Sequence, residues 1–423
     1  MLMKNFTFFL ISIIITFTSN AQCTINTGSF KSPHTDGTMQ YLQWMMQQSP
    51  TLQKKMQIEE EKFNDYIRLH HNEFNTNKNS YVIPVVVHIV YKNSSENITD
   101  ERVAEQIAQT NIDFAGLNSH SMEQFSNSLK ANTGITFCLA TADPDGNPTT
   151  GITRTQTTVT SFGTDNKVKN DNTGGKSPWE VSKYLNIWVC NLGNGLSGYG
   201  QFPTSGINNK FGLVVNYQFF GITGTTFPYN LGATTTHELG HCFNLFHVVS
   251  ADSSCTDNDL CPDTPNQLSY PVGDLSGCIT DYCTDTCPGI MYMNFMGYSD
   301  DAEMTNFTPN QSERMQAAID IYLSSIASSA VTSCSGAGIN EILNDNDFFL
   351  YPNPASNSII IENKSSKNKM NILLIYNTQG KPVLQKISFQ PATTIDISEL
   401  SEGMYFLKIK NESQIIMKKF IKE

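Results

Sequence analysis

His237–His247 reads H-E-L-G-H-C-F-N-L-F-H. His237 and His241 stand four residues apart, so on an α-helix they project from one face, a single turn apart. His247 follows six residues later. Three imidazoles fill three corners of a tetrahedral zinc site and leave the fourth open to water, as catalytic zinc requires. Glu238 is placed beside that water as a general base. For His247 to reach the same ion the chain must turn sharply after the helix. Glycine makes such a turn at no steric cost, and Asn244, which stands there, is the next most tolerant of left-handed geometry. Far downstream, Tyr292–Tyr298 (Y-M-N-F-M-G-Y) supplies Met296 as an apolar floor beneath the metal and Tyr298 as a donor to a tetrahedral oxyanion. The plainer alternative makes both of them core residues.

A chain of 423 residues exceeds one ordinary core and predicts two or three domains. Its net charge of −12 argues against a nucleic-acid surface. Met1–Lys4 is basic, Phe6–Phe17 apolar, and Ser19-Asn20-Ala21 small, the pattern of a secretory signal peptide over residues 1–21. A membrane anchor is the rival, but the apolar run is shorter than the roughly 20 residues a span needs, and no later segment is apolar enough to cross a membrane. In an exported protein the ten cysteines default to disulfides. Five of them crowd into Cys255–Cys287, as a second zinc site or, on redox grounds, as staples of a long loop. Their odd number demands an outside partner or a free thiol.

Residues 22–80 are polar with helical spacing at Leu52, Met56, Phe63 and Tyr66/Ile67 after a break at Pro50, and lack clustered catalytic residue types. They read as a removable pro-segment. Tyr81–Tyr91 (Y-V-I-P-V-V-V-H-I-V-Y) opens the next domain as a buried strand, with His88 as a satisfied core residue. A helix over Thr99–Leu117 and strands over Ile135–Ala140, Tyr184–Cys190 and Gly212–Phe220 make this domain, residues 81–334, a mixed α/β sheet beside the zinc helix. Residues 335–347 form a linker. Short alternating runs over residues 348–423, at Ser358–Ile361, Asn371–Tyr376, Met404–Lys410 and Gln414–Ile421, predict a small all-β sandwich.

The zinc helix, its third histidine and the methionine turn resemble the metzincin clan of metalloproteases, with Asn244 in place of the pattern's glycine. The segments I-P-V-V-V-H-I-V-Y (83–91), Y-L-N-I-W-V-C-N-L (184–192), G-Y-G-Q-F-P (198–203), D-T-P-N-Q (263–267) and N-F-M-G-Y-S-D-D (294–301) look like the pappalysin branch. The resemblance spans about Tyr81 to Cys334. It implies a metzincin catalytic domain, zinc held by His237, His241 and His247, Glu238 as base, and the roles given above for Met296 and Tyr298. It also implies calcium in the loop after the zinc helix, with oxygens from Asp257, Asp259, Asp263 and the Thr264 carbonyl. A solvated acidic loop is the alternative.

Members often favour a basic residue just after the scissile bond, and Asp300–Asp301 would attract one. Glu303 departs from the family's cysteine there. For latency the family's C-G-T-M-like element appears as Asp36-Gly37-Thr38-Met39, which makes the Asp36 carboxylate the plug of the metal and Cys23 its rival. Y-P-N-P (351–354), G-M-Y-F-L-K-I (403–409) and the terminal K-K-F-I-K resemble the sorting domain of the Bacteroidetes type-nine secretion system, which implies export by that machinery and release or surface attachment. The reading is a secreted, zinc-dependent endopeptidase made as a zymogen and acting on proteins or peptides, with no transmembrane anchor. Its competitor is a non-enzymatic calcium-binding or adhesive surface protein on a metzincin shell.

Overall fold

The computed structural model describes residues 35–76, 80–118, 120–250, 255, 259–331, 348–363, 371–376, 382–388, 390–410 and 415–423. The signal peptide, Cys23, the linker and Asp257 lie outside them. The chain enters through a two-residue strand, β1 (Thr35–Asp36), and two helices, α1 (Thr38–Gln48) and α2 (Leu52–Thr76). Ser49 between them is extended, as a residue preceding proline prefers, and this stops α1 before Pro50.

The β-branched run expected to be a strand is β2 (Tyr81–Tyr91), the centre of a seven-stranded sheet. After α3 (Asp100–Phe114) come β3 (Ile135–Leu139), β4 (Ile152–Gln156), β5 (Leu185–Cys190), β6 (Leu196–Tyr199) and β7 (Gly212–Asn216). The order is β1-β6-β7-β5-β2-β3, with β4 also on β2. Eleven residues make β2 long enough to hold β3 along Tyr81–Val85 and β4 along Val87–Tyr91, both parallel. Only β6 runs against its neighbour β7, and β1 lies parallel to β6, so the sheet is mixed as expected.

Two expected boundaries move inward by three residues or more. α3 is capped by the Thr99 hydroxyl, which accepts from the Arg102 amide, and stops at Phe114 instead of Leu117. β7 ends at Asn216, whose side-chain carbonyl accepts from the Gln218 amide in an Asx turn that bends the chain away before Phe220.

Side chains of β2 alternate between two cores, the period-two consequence of a strand buried on both faces. Val85, Val87 and Ile89 face the main core with Phe114, Phe137, Leu239 and Phe243. That side carries α3, α4 (Ala233–Cys242) and α5 (Pro309–Ala318). Thr308 caps α5 in a capping box with Gln311, and Pro309 pre-sets its first turn. Val90, Trp188 and Val214 face a second core, covered by Tyr41, Leu42 and Met45 of α1.

Helix α2 lies on α5. Phe63 is fully buried in the main core. Beside it the buried Arg314 guanidinium donates to Glu60 Oε1 at 2.7 Å and to Asn64 Oδ1 at 3.1 Å, and stacks over the Phe63 ring. Removing one partner of a buried ion pair leaves an uncompensated charge. Glu60→Ala is expected to cost about 3 kcal/mol of unfolding free energy, reduced somewhat by the partial exposure of Glu60; urea melts within 0.5 kcal/mol of the parent would refute this.

The C-terminal region forms two facing sheets from β8 (Phe348–Tyr351), β9 (Ser358–Asn363), β10 (Asn371–Tyr376), β11 (Pro382–Ser388), β12 (Ala392–Asp396), β13 (Gly403–Lys410) and β14 (Ile415–Lys422). Ile359 and Ile361 from one sheet meet Leu373, Ile375, Leu407 and Ile409 from the other, the alternation that a sandwich requires. Among the described residues no helix is long and apolar enough to cross a membrane.

Candidate active site

α4 presents His237 and His241 from one face, and the chain leaves it through Asn244 in the left-handed conformation at φ 66°. The turn delivers His247 to the same point. The three Nε2 atoms lie 3.1 Å (His237–His241), 3.2 Å (His237–His247) and 2.9 Å (His241–His247) apart. Backbone carbonyls fix two of the rings. His237 Nδ1 donates to Phe295 O at 2.7 Å and His241 Nδ1 to Leu245 O at 2.8 Å. A carbonyl only accepts, so the hydrogens sit on Nδ1 and the Nε2 lone pairs converge. Burial holds the His237 imidazole down at about 4 and His241 well below its ordinary value.

Neutral lone pairs packed this closely repel unless a cation lies among them. Nitrogens sharing one tetrahedral zinc at about 2.0–2.1 Å stand roughly 3.3 Å apart, so the donor set fits zinc.

Met296 is fully buried in the main core, and its sulfur packs so tightly against Gly240 that a Cβ there would collide with it. The Tyr298 hydroxyl lies 3.0 Å from His247 Nδ1 and 3.1 Å from its Nε2. Glu238 is buried; its Oε2 accepts from the Thr38 hydroxyl at 3.0 Å, and its Oε1 has no hydrogen-bond partner.

The Asp36 carboxylate reaches the same point from β1. Its Oδ2 is 2.8 Å from His247 Nε2 and 3.8 Å from His241 Nε2. Asp36 and the three histidines offer ligand atoms that all lie within 4.8 Å of one another. Burial would raise the Asp36 carboxyl, but the adjoining imidazoles outweigh it and hold it below the ordinary carboxylate range. The backbone keeps it in place: the Gly37 amide donates to Gly198 O at 2.8 Å, and the Thr38 hydroxyl accepts from the Gly200 amide at 2.9 Å.

Two residues with a part in this site, Tyr41 and Asp113, gave no sequence signal, and Thr38 figured only as a member of the Asp36–Met39 element. Thr38 occupies Glu238, Tyr41 is buried beside β6, and Asp113 braces the zinc helix. Asp113 Oδ2 accepts from the Thr236 hydroxyl at 2.8 Å, and burial pushes its carboxyl up to about 7. Each depends on contacts from distant parts of the chain. His88, as expected, is a satisfied core residue, bonded to Thr153 and Asn186.

The cysteine cluster contains two disulfides, Cys255–Cys283 and Cys278–Cys287, and its odd member, Cys261, is a buried free thiol. The proposed calcium residues are divided. Both Asp263 oxygens are engaged at the start of α5, with the Thr308 hydroxyl at 2.7 Å and the Asn310 amide at 2.9 Å. Asp259 Oδ1 accepts from the Thr264 hydroxyl at 2.7 Å, and only its Oδ2 is buried without a partner. Asp300 and Asp301 also part. Asp300 accepts from the Gly273 amide, whereas Asp301 is buried in a small cavity that Ala233, His237 and Tyr298 also line.

Residues 164–320 match the family model of pregnancy-associated plasma protein-A, and residues 349–423 match that of the secretion system C-terminal sorting domain. An extracellular metalloprotease of Arthroderma gypseum is 32% identical over 257 residues, 58% of this chain and 74% of its own length. The chain belongs to the pappalysin family of metzincin metalloproteases. As a pappalysin relative it is a zinc metalloendopeptidase, and its sorting tail marks it for secretion. Two solved structures from Tannerella forsythia share the fold. Mature mirolysin in complex with a cleaved peptide is 42% identical, with 59% of this chain and 98% of that one covered and a TM-score of 0.55. A promirolysin mutant is 38% identical, with 69% and 97% covered and a TM-score of 0.62.

Proposed function

We propose that this chain is the latent precursor of a secreted endopeptidase whose own N-terminal segment occupies the catalytic centre. The observation that carries the reading is the double contact from that segment: Asp36 against the three histidines and Thr38 against Glu238. Residues 1–21 are its signal peptide, residues 22–80 its pro-segment, residues 81–334 the catalytic domain, residues 335–347 a linker and residues 348–423 the part read by the type-nine secretion machinery. The relation to promirolysin supports synthesis as a zymogen.

His237, His241 and His247 would hold zinc, which when bound supplies Lewis acidity to polarise the scissile carbonyl and acidify the attacking water. Glu238 removes that water's proton and returns it to the leaving amine; its Oε1 has no partner, and its Oε2 is freed once Thr38 departs. The Tyr298 hydroxyl, already against His247, turns to donate to the developing oxyanion. Met296 and Gly240 keep the floor closed to water.

Metal analysis of the matured protein tests the centre. One zinc per chain is expected, with casein hydrolysis lost to a chelator and restored by zinc. Full activity in metal-free protein would reject the reading in favour of a different chemistry. The same analysis reads calcium, which we assign to Asp259 through its free oxygen with Asp263 and the Thr264 carbonyl; protein that binds only zinc would remove it.

Asp301 supports a preference for a basic residue after the scissile bond. Its carboxylate accepts from the Leu231 and Ala233 amides at the cavity beside His237, and burial pushes it up to about 7, so a cation there restores the charged form. Asp301→Asn is expected to lower cleavage before Lys or Arg by about 10–100-fold relative to cleavage before uncharged residues, the worth of one charge-assisted contact. An unchanged cleavage profile would dismiss the assignment.

A further inference from the structure

Tyr41 lies one helical turn beyond Thr38 and is fully buried, although it belongs to the segment that must leave. Its hydroxyl donates to Gln201 Oε1 at 3.2 Å and accepts from Asn166 Nδ2 at 2.9 Å. Its ring sits 4.9 Å from the Tyr199 ring, at the end of β6. The Lys169 ammonium lies over the Tyr41, Trp188 and Tyr199 rings at 5.1, 4.9 and 5.3 Å. Such stacking of a desolvated cation on aromatic faces contributes attraction on top of ordinary burial.

Two of the wall residues are also anchored outside α1. Lys169 Nζ is tied to Lys210 O at 3.0 Å, and Gln201 Nε2 to Gly206 O at 3.0 Å. Asn166 holds a left-handed backbone at φ 60°. Two further polar atoms of the walls, Asn166 Oδ1 and the Tyr199 hydroxyl, are buried with no hydrogen-bond partner. Any buried phenol needs hydrogen-bond partners; for Tyr41 both come from residues outside α1, on the side that stays.

We propose that Asn166, Lys169, Trp188, Tyr199 and Gln201 form a tyrosine-binding pocket, separate from the metal centre, that retains the α1 segment after the chain is cut, so that activation waits on release of α1. The inference rests on the reading of Asp36 and Thr38 as the block. Asp36 shuts the centre, and Tyr41 keeps Asp36 there. Leu42 and Met45 add apolar contact on the same helix face.

The test uses the full chain with a site-specific protease sequence inserted in the Ser49–Thr51 loop, in a Glu238→Gln background that prevents self-digestion. After cutting, the N-terminal piece is expected to co-elute with the remainder on size exclusion. Its release rate after dilution is expected to rise more than a hundredfold for Tyr41→Ala and about tenfold for Tyr41→Phe, which keeps the ring and loses only the hydroxyl bonds. Parent-like release from both variants, or immediate loss of the parent piece, would overturn the pocket. Asp36→Ala is expected to release faster than the parent as well, by about tenfold for the lost contact with the histidines, but more slowly than Tyr41→Ala. If the reading of Asp36 as plug is wrong, uncut Asp36→Ala precursor on the active background stays as quiet as the parent, whatever the Tyr41 variants do. The two failures are therefore distinct.

Discussion

Glu238→Gln is expected to lower kcat/KM of the matured protein by about 10³–10⁴-fold while zinc content and melting temperature stay at parental values. Glutamine matches the size of glutamate, so the packing around α4 is kept. It cannot take a proton from water at neutral pH, and among the described residues the side chains grouped at the centre are Asp36 and the three histidines, so with Asp36 gone none of that group replaces the carboxylate. The contrast between lost turnover and retained metal separates a chemical role from a structural one. A variant within tenfold of the parent would mean that another group moves the proton, and the mechanism above would fall with it.

The second large effect lies in the precursor. Asp36→Ala is expected to raise its basal peptidase activity by about 10–100-fold, the range of one hydrogen-bonded charge contact, yet to leave it below the matured protein. The ceiling follows from geometry. With Asp36 shortened, β1 still pairs with β6, and Thr38 still sits on Glu238. Asp36→Ala combined with Thr38→Ala should rise further than either alone. A precursor as inactive as the parent would shift latency from the carboxylate to simple steric cover.

The parts of this molecule legible from its sequence were those set by local spacing. Two histidines one turn apart needed only a helix, and Asn244 announced the left-handed exit that brings His247 round. The β-branched run of β2 and the alternation at Ile359/Ile361 and Leu407/Ile409 declared buried strands in the same way. What stayed hidden was set by contacts across long separations. Thr38 meets Glu238 two hundred residues away, and Asp113 meets Thr236 across 123. β4 carries Thr, Arg and Gln on a half-exposed strand and lacked the apolar pattern that marks its neighbours. Asp300 and Asp301 read as one acidic pair, but a single residue's difference along the turn sends one to the Gly273 loop and the other to the cavity beside His237.

The seat of α2 also bears on how this protease can be made in the laboratory. Phe63 fills part of the interior, and Glu60 neutralises Arg314, whose guanidinium also supports the Asn244 carbonyl at 3.2 Å, in the bend that carries His247. An expression product trimmed to begin at Tyr81 gives up that apolar plug and leaves Arg314 to find water or another counter-charge, so it is expected to melt below the precursor. Folding the whole precursor first, with α2 seated, is therefore the safer route to residues 81–334, and trimming of the pro-segment belongs after the interior has closed.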